Sequence, residues 1–391
     1  MKKKFCVITS SRSDYGLLKP FLEKANIHEK VELQLIVTGS HLASEFGHTY
    51  KEIENDGFEI NEKIETLLNS DTPVAITKSM GLALISFSEA YNRIRPDVIV
   101  VMGDRYEIFS AVAAAHVNQL PVAHLSGGEV TTGAIDDAFR HSITKMSHLH
   151  FTSIGEYRNR VIQLGENPET VFDVGEIGLE EIKRYKLMTK SELKNDLKFE
   201  FNLRNLLITF HPVTLENNTS KRQFENLLHV LSKRTDTNMI FTKTNADTFG
   251  RVINRMLEDY VKTYPQNSLL VTSLGRLRYL SLLQFVDAVV GNSSSGIIEA
   301  PSFQIGTINI GDRQNGRVKT KSVIDCPPTK NGINSAFKKL YSPNFQKILC
   351  SLKNPYESQD GSKIILEVTL DYLKTRKDIK KEFFDISVKN I

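Results

Sequence analysis

The most constraining feature of this sequence is an alternation of two kinds of segment. Short apolar runs rich in β-branched residues alternate with longer segments whose apolar residues recur every three or four positions. This alternation predicts an α/β fold in which helices cover both faces of a parallel sheet. The predicted strands are Lys4–Thr9, Leu33–Thr38, Asp97–Met102, Val122–Leu125, His148–Thr152, Val171–Val174, Leu206–Phe210, Met239–Thr242, Leu269–Thr272, Ala288–Val290 and Thr307–Ile310. Helical spacing is found in Leu17–Ala25, Ile76–Ile94, Ile108–Val117 and Phe224–Leu231.

The strands are too numerous for one comfortable open sheet. The stretch Leu179–Leu203 is densely charged and has no strand signal, so we place a domain junction there. We expect two Rossmann-like domains facing a central cleft, at residues 1–178 and 179–364, with a C-terminal helix at 365–391 packed back on the first. The charged tail Lys374–Glu382 is then a solvated helix face or end. Ligands of open α/β sheets bind at the carboxyl ends of strands, which would line the cleft.

Composition and charge exclude several classes of protein. The 391 residues carry 50 − 46 = +4 net charges and no tryptophan, which gives no reason to expect nucleic-acid binding. The longest stretch without charged side chains, Ile108–Gly128, is interrupted by polar residues and is not a membrane span. Three widely separated cysteines without a CxxC spacing favour a reducing compartment. We therefore expect a soluble, cytoplasmic protein.

In the second half, two polar turns directly follow predicted strands. The run Gly291-Asn292-Ser293-Ser294-Ser295-Gly296 offers backbone N–H groups and hydroxyls that suit phosphate, although a serine-rich turn that caps a helix has the same pattern. Arg313 follows the next strand and would present a two-pronged donor to a diphosphate, although a solvated surface arginine fits the same turn. Two such turns at neighbouring strand ends favour phosphate more than either does alone.

In the first half, carboxylates and arginines collect at successive strand ends. Asp104 and Arg105 end one strand, and Glu129 follows the next strand after two glycines. Asp136 and Arg140 open a helical segment as i,i+4 partners, as Asp137 and His141 do, and such pairs usually support a helix surface. The alternative role of Asp104 is to cap the helix that follows it. The whole cluster nevertheless indicates acid–base chemistry beside an anion.

Other motifs argue against cofactor chemistry. Ser10–Asp14 follows the first strand but lacks the GxGxxG pattern, which disfavours a nicotinamide cofactor. The histidines are scattered, with no metal-ligand spacing such as HExxH, so we predict no metal and no other cofactor. His211 ends a strand before a proline, where a histidine is more often structural, although it would also point at the cleft.

In order along the chain, these motifs resemble those of the hydrolysing UDP-N-acetylglucosamine 2-epimerases, in particular the bacterial sialic-acid and capsule type. The segments that carry the resemblance are SRSDYG, VTGSHL, GDRYEIFSA, GGE, DDAFRHSITKMSHLHF, FHPVT, GNSSSGIIE and INIGDRQNGR, spread over nearly the whole chain. The resemblance implies the two-domain GT-B fold. It also implies an elimination of UDP that gives 2-acetamidoglucal, followed by hydration that releases N-acetylmannosamine.

The resemblance also implies roles for individual residues. The candidate acid–base carboxylates are Asp104, Glu129 and Asp136. Arg105 and His211 belong to the same catalytic set and would face the diphosphate. The implied substrate-binding residues are Arg12, Ser293, Ser294 and Arg313 on the diphosphate, Arg140 as support of the cluster, Glu299 on the ribose hydroxyls and Asn245 beside the uridine. A homo-oligomer, a dimer or a tetramer, is also implied.

One departure keeps a second substrate open. Many members of the family carry a glutamate where this chain has Ser126, which cannot act as a carboxylate base. Either Glu129 or Asp104 takes over, or the sugar differs, with UDP-N,N′-diacetylbacillosamine as the alternative. A non-hydrolysing epimerase, a GT-B glycosyltransferase and an inactive nucleotide-sugar sensor are further alternatives, and the intact carboxylate cluster disfavours the last two.

Overall fold

The computed structural model describes residues 2–68, 70, 72–132, 134–212, 219–244, 250–357, 360–375 and 379–386. Within these residues the strands form two sheets, and every paired strand runs parallel to its neighbour. The strands of the first sheet are β1 (Lys3–Thr9), β2 (Val31–Thr38), β3 (Glu62–Ile64), β4 (Val98–Met102), β5 (Val122–Leu125), β6 (Leu149–Thr152) and β7 (Val171–Asp173). The strands of the second are β8 (Arg204–Thr209), β9 (Thr237–Thr242), β10 (Ser268–Val271), β11 (Ala288–Gly291), β12 (Gly306–Ile310) and β13 (Val323–Cys326).

Helices connect the strands, as the alternating sequence pattern predicts. They are α1 (Arg12–Ile27), α2 (Tyr50–Asn55), α3 (Pro73–Ile94), α4 (Tyr106–Val117), α5 (Asp136–Met146), α6 (Gly155–Gln163), α7 (Glu180–Arg184), α8 (Lys190–Leu197), α9 (Ser220–Leu231), α10 (Gly250–Thr263), α11 (Arg276–Leu283), α12 (Ser295–Ile298), α13 (Lys330–Leu340), α14 (Pro343–Cys350) and α15 (Gly361–Thr375). The prediction of two parallel-sheet α/β halves is therefore confirmed.

Both sheets are doubly wound. The spatial orders are β3-β2-β1-β4-β5-β6-β7 and β10-β9-β8-β11-β12-β13. In the first sheet the winding direction reverses between β1 and β4, and in the second it reverses between β8 and β11. Loops that leave the carboxyl ends of strands at such a reversal diverge, which leaves room for a ligand.

The cores lie on both faces of each sheet. Along β1, Phe5 belongs to one apolar cluster and its neighbour Cys6 to another on the opposite face. Leu206 and Leu207 of β8 divide in the same way between two clusters of the second sheet. Because successive strand residues point to opposite faces, a sheet covered on both sides needs continuous apolar strands rather than alternating ones.

The chain divides into two compact units, each containing one sheet. The first unit contains Met1–Glu129, Asp136–Glu181 and Tyr356–Ile391, and the second contains Val130–Ile135 and Ile182–Pro355. The predicted boundaries at 178 and 364 lie close to these but not at them. The chain rejoins the first unit at Tyr356 because the Glu176 N–H donates to the Tyr356 carbonyl at 2.8 Å. The short excursion Val130–Ile135 leaves no signal in the sequence pattern.

The C-terminal helix is shorter than predicted. Helix α15 ends at Thr375 and buries Ile365 and Leu366 in the core of the first unit, whereas residues 379–386 are not helical. The expectation of a solvated helix for Lys374–Glu382 is also wrong at Lys381, whose side chain is only 25% exposed because it bonds to Glu166 and to backbone carbonyls.

Helix α3 is long and partly apolar on its outer side. Phe87 and Tyr91 are buried in the core, but Val74, Leu82 and Ile85 are exposed. The homo-oligomer that the resemblance implies stays a prediction. Among the described residues, no helix combines the length and apolarity that crossing a membrane requires.

Candidate functional site

In the first unit, the loops after β1 and β4 leave the carboxyl edge of the sheet at the winding reversal and carry three of the predicted site residues. Asp104 and Arg105 leave the end of β4, and Arg12 begins α1 after β1. Helix α1 starts there because Ser11 and Asp14 form a capping box, in which the Asp14 carboxylate accepts from the Ser11 N–H at 2.7 Å. The loops after β1 and β4 are therefore the neighbouring loops of the first unit's candidate site.

Asp104 is held by a guanidinium from α5. Arg140, 3% exposed, forms an ion pair with the Asp104 carboxylate, and its Nη1 lies 3.5 Å from Asp137 Oδ1. His141 lies 3.6 Å from the same Asp137 carboxylate, which is the predicted i,i+4 pair. Arg140 is thus an internal anchor of the cluster, rather than the simple surface partner of Asp136 that helical spacing favours.

A buried histidine fixes the backbone next to Asp104. Nε2 of His124 lies 2.8 Å from the Gly103 carbonyl, and its Nδ1 lies 3.2 Å from the hydroxyl of Thr144 in α5. A carbonyl only accepts, so Nε2 carries the proton. Burial lowers the pKa of His124 to about 3, so the ring stays neutral and acts as a fixed donor. In the sequence this residue is one of several scattered histidines, and no local pattern marks its role.

Glu129 follows a glycine pair that packs tightly against α6. The carboxylate is 4% exposed and accepts from the Ser153 hydroxyl at 3.2 Å. Gly128 has φ +78°, and a Cβ placed there would lie 2.4 Å from the Tyr157 carbonyl oxygen. Arg160 also donates to the Gly128 carbonyl. Glycine is therefore required at position 128 for packing and backbone conformation, whatever ligand binds there.

Ser126 has a carboxylate partner that the sequence does not reveal. Its backbone adopts a left-handed φ of +61°, and its hydroxyl lies 3.4 Å from Oε2 of Glu176, which is 2% exposed. Glu176 comes from the loop after β7, fifty positions further along the chain. A carboxylate thus lies beside the position where this chain has a serine.

Three other predicted residues of the first unit differ in their surroundings. Asp136 is the first residue of α5 and is partly buried. Arg12 donates to both oxygens of Glu52, at 2.8 and 3.1 Å, and Arg105 does the same to buried Glu107, at 3.2 and 3.3 Å. Both arginines are therefore already ion-paired, which sequence spacing did not indicate. Their predicted role on a diphosphate stays a prediction.

In the second unit, Asn292 joins the loops at the winding reversal. Its Oδ1 accepts from the His211 N–H at 2.7 Å, and its Nδ2 donates to the His211 carbonyl at 2.8 Å. Its own carbonyl accepts from Arg313 at 3.2 Å and from Gln314 at 2.8 Å. One fully buried asparagine thus connects the loops after β8, β11 and β12. His211 and Arg313, both predicted site residues, are brought together by a residue that was not singled out.

The serine loop lies directly after β11, and its role on a phosphate stays a prediction. Ser293 and Ser294 are partly buried between β11 and α12. Gly291 before them has φ +135°, and a Cβ there would lie 1.9 Å from the Thr209 carbonyl oxygen, so glycine is required. Helix α12 has only four residues, so the serine hydroxyls and Arg313 matter more for an anion than a helix dipole does.

The remaining predicted residues of the second unit are Glu299 and Asn245. The Glu299 carboxylate forms an ion pair with Arg276 of α11 and is 6% exposed. Asn245 lies outside the described residues. Across the part of the chain that the structure describes, no group of three or more His, Cys, Asp or Glu residues is placed to hold a metal ion.

Two doubly wound α/β units in one chain define a protein of the GT-B class. The family model of UDP-N-acetylglucosamine 2-epimerase matches residues 23–370, so the chain belongs to the UDP-N-acetylglucosamine 2-epimerase family. It is 41% identical over 346 residues to the GDP/UDP-N,N′-diacetylbacillosamine 2-epimerase (hydrolyzing) of Campylobacter jejuni, covering 88% of this chain and 89% of the relative. It is also 38% identical over 386 residues to the polysialic acid biosynthesis protein P7 of Escherichia coli, covering 98% of each.

A solved structure supports the assignment of the fold. The crystal structure of UDP-GlcNAc 2-epimerase from Neisseria meningitidis bound to UDP-GlcNAc superposes with a TM-score of 0.81 at 17% identity. The match covers 94% of this chain and all of that one. The predicted family and the GT-B fold are therefore confirmed.

Proposed function

We propose that this chain is a hydrolysing 2-epimerase that converts UDP-N-acetylglucosamine and water into N-acetylmannosamine and UDP. The observation that carries the proposal is the cluster of Asp104 and Glu129 at the carboxyl edge of the first sheet, with Arg140 anchoring Asp104. Membership of the epimerase family supports it. A sugar whose C2 proton is only weakly acidic needs a carboxylate held within hydrogen-bond reach, and this cluster supplies candidates for that base.

The proposed reaction has two steps, elimination and hydration. A carboxylate of the set Asp104, Glu129 and Asp136 takes the proton from C2, the C1–O bond to UDP breaks, and the C–H electrons form the C1–C2 double bond. Water then adds hydroxyl to C1 and a proton to C2 on the opposite face, which inverts C2. The released sugar is free N-acetylmannosamine, which feeds sialic acid and capsule synthesis.

Groups of the second unit stabilise the departing diphosphate. Arg313, Ser293 and Ser294 lie in loops that Asn292 holds together, so their donors are arranged before substrate binds. Such preorganised donors stabilise charge as it develops on a leaving group. We expect His211 to add a hydrogen bond to the diphosphate and Glu299 to bind the ribose, whereas the diphosphate role that the resemblance implies for Arg12 and Arg105 stays a prediction.

A second substrate, UDP-N,N′-diacetylbacillosamine, is favoured by two specific observations. One is the 41% identity with the Campylobacter jejuni relative. The other is Ser126, where a hydroxyl backed by Glu176 lies beside the glycine loop of Glu129. The chemistry is identical for both sugars, so only the shape and polarity of the sugar pocket distinguish them. The E. coli relative, covered over 98% of its length, supports the first substrate because it is a polysialic acid biosynthesis protein.

The two substrates are distinguished by comparing kcat/KM for UDP release from each purified UDP-sugar, with chromatographic identification of the sugar product. We expect UDP-N-acetylglucosamine to give free N-acetylmannosamine with the higher kcat/KM. A higher value for the diacetylbacillosamine nucleotide would move the assignment to the second substrate. A 2-epimerised UDP-sugar without free UDP would identify a non-hydrolysing enzyme, and transfer of the sugar to an added acceptor would identify a glycosyltransferase.

A further inference from the structure

The segment 379–386, beyond the last helix, lies against the first unit through several specific contacts. The Ile379 carbonyl lies 3.2 Å from Nε2 of His148, and the Phe384 N–H donates to the Gly165 carbonyl at 2.9 Å. The Phe383 ring covers Gly165 so closely that a Cβ there would lie 2.3 Å from a ring carbon. Backbone and side-chain contacts together give this segment a defined position on the unit.

At the centre of these contacts, Lys381 caps the carboxyl end of α5. Its ammonium donates to the carbonyls of Lys145 and Ser147, at 2.9 and 2.6 Å. The last carbonyls of a helix lack partners within it and carry partial negative charge, so a cation there is favourable. Lys381 therefore supplies the C-terminal cap of α5 although it lies 236 positions further along the chain than Lys145.

Glu166 fixes the position of the Lys381 ammonium. The carboxylate, 1% exposed, lies 2.6 Å from Lys381 Nζ and 2.7 Å from Lys145 Nζ. His150, fully buried, contacts it through Nε2 at 2.9 Å. Burial raises the pKa of Glu166, but the hydrogen bonds and charges of these three groups outweigh that effect and lower the pKa to about 2. The cluster is thus a buried carboxylate that two ammonium groups and a ring N–H share.

The helix that Lys381 caps is the one that carries Arg140. Thr144 bonds back to the Arg140 carbonyl at 3.1 Å, so the last turns of α5 are joined to the residue that holds Asp104. We propose that Lys381, through Glu166 and the end of α5, is a positioning residue that keeps Arg140 and Asp104 in their reactive geometry. The proposal rests on the proposed epimerase function. Catalytic groups must be held to within a fraction of an ångström, so loosening of α5 slows the chemical step.

The test compares Lys381→Met with Lys381→Arg and with the control Lys374→Met in the full chain. Lys374 lies on α15, is 60% exposed and has its ammonium 3.9 Å from Asp371, so its substitution removes the same charge from an exposed position seven residues earlier in the chain. We expect Lys381→Met to lower kcat by about tenfold or more, with KM changed by less than about twofold. The arginine variant, which keeps donors and charge, should recover most of kcat, and the control should match wild type.

Hydrogen exchange of the α5 amides supplies a readout that does not depend on the substrate. Amides of residues 138–146 should exchange faster in Lys381→Met than in wild type, and those of α9 in the second unit should not change. The proposal would be overturned if Lys381→Met kept the kcat of wild type, or if its α5 amides exchanged at the same rate as those of wild type. The proposal would also be overturned if activity in Lys381→Met fell only in proportion to the fraction of folded protein, because Lys381 would then contribute to stability alone. Inactivity of wild type on both UDP-sugars would instead refute the proposed function.

Discussion

The buried guanidinium of Arg140 forms ion pairs with two carboxylates, those of Asp104 and Asp137. An anchored carboxylate has a defined direction of approach to a substrate proton, whereas a solvated one samples many. Asp104 is thus a candidate base whose carboxylate is held by a buried guanidinium. This anchoring makes the residue a direct test of the acid–base assignment.

Asp104→Asn keeps the shape of the side chain but removes its basicity. We expect kcat to fall by roughly 10²–10⁴-fold while the Kd of UDP changes little, because the proposed role of Asp104 is to remove a proton from the sugar and not to bind UDP. Steady-state UDP release and calorimetric titration with UDP measure the two quantities. Asp137→Asn is the matched control, since it also removes a negative charge from Arg140 and should reduce kcat far less. If Asp104→Asn weakened UDP binding and kept kcat, Asp104 would be a binding residue.

Arg313 is the residue whose loss should most directly affect the diphosphate. Arg313→Ala should weaken UDP binding by ~1.5–3 kcal/mol, the usual contribution of a charged hydrogen bond. The control is Arg204→Ala at the opposite end of the second sheet, where the guanidinium lies 3.0 Å from Asp236. Calorimetric titration of both variants with UDP gives the comparison. Unchanged affinity in Arg313→Ala would return this arginine to a loop-bracing role through Asn292.

At the scale of elements, the loop between β5 and α5 depends on its glycines. Gly128→Ala places a Cβ 2.4 Å from the Tyr157 carbonyl oxygen at a positive φ, whereas Gly57→Ala has the same sign of φ and nothing within 4 Å. We expect Gly57→Ala to cost about 1–2 kcal/mol of stability and Gly128→Ala about 2–5 kcal/mol. Thermal unfolding of the two variants separates backbone strain from the clash. Equal losses of Tm would mean that the loop shifts to accept the methyl group.

The elements themselves were largely predictable, because buried parallel strands are continuous apolar runs that are easy to recognise. The strands that the sequence missed are β3 (Glu62–Ile64) and β13 (Val323–Cys326), each at the edge of its sheet. Runs of three or four residues with a charged member, such as Glu62 or Asp325, show no distinct period. Their pairing is determined by the neighbouring strand and not by their own composition.

At the scale of the whole molecule, buried histidines link stability to pH. Burial lowers the pKa of His41 to about 4, of His124 to about 3 and of His148 to about 4. The unfolded chain, with histidine pKa values near 6.5, binds more protons than the folded chain between about pH 4 and 6.5. The free energy of unfolding should therefore fall as pH is lowered through this window and should not depend on these groups above it.

Urea unfolding at pH 5 and pH 7 measures this difference. His124→Gln retains a donor for the Gly103 carbonyl but cannot titrate, so the loss of stability between pH 7 and 5 should be smaller than in wild type. His116→Gln, at an exposed position on α4, should keep the wild-type difference. If His124→Gln lost as much stability between pH 7 and pH 5 as wild type does, the His124 ring would not stay neutral in the folded protein.

The candidate site could be predicted from sequence only in part. Predicted site residues such as Asp104 and Ser293 lie shortly after strands, so their position at a sheet edge follows from the local sequence pattern. The positions of the residues that hold them do not follow from it. Asn292 bonds to His211, 81 positions away in the sequence, and Lys381 bonds to Lys145, 236 positions away. Contacts between distant segments depend on tertiary packing, and a single sequence carries no local signal for them.

In the proposed mechanism, a carboxylate of the first unit removes the C2 proton of a UDP-sugar, and UDP leaves before water adds. Incubation with UDP-N-acetylglucosamine in D₂O, followed by proton NMR, tests it directly. The prediction is free UDP together with N-acetylmannosamine that carries deuterium at C2, because the proton lost in the first step is replaced from solvent. Release of UDP with the C2 proton fully retained in the sugar would contradict the elimination mechanism.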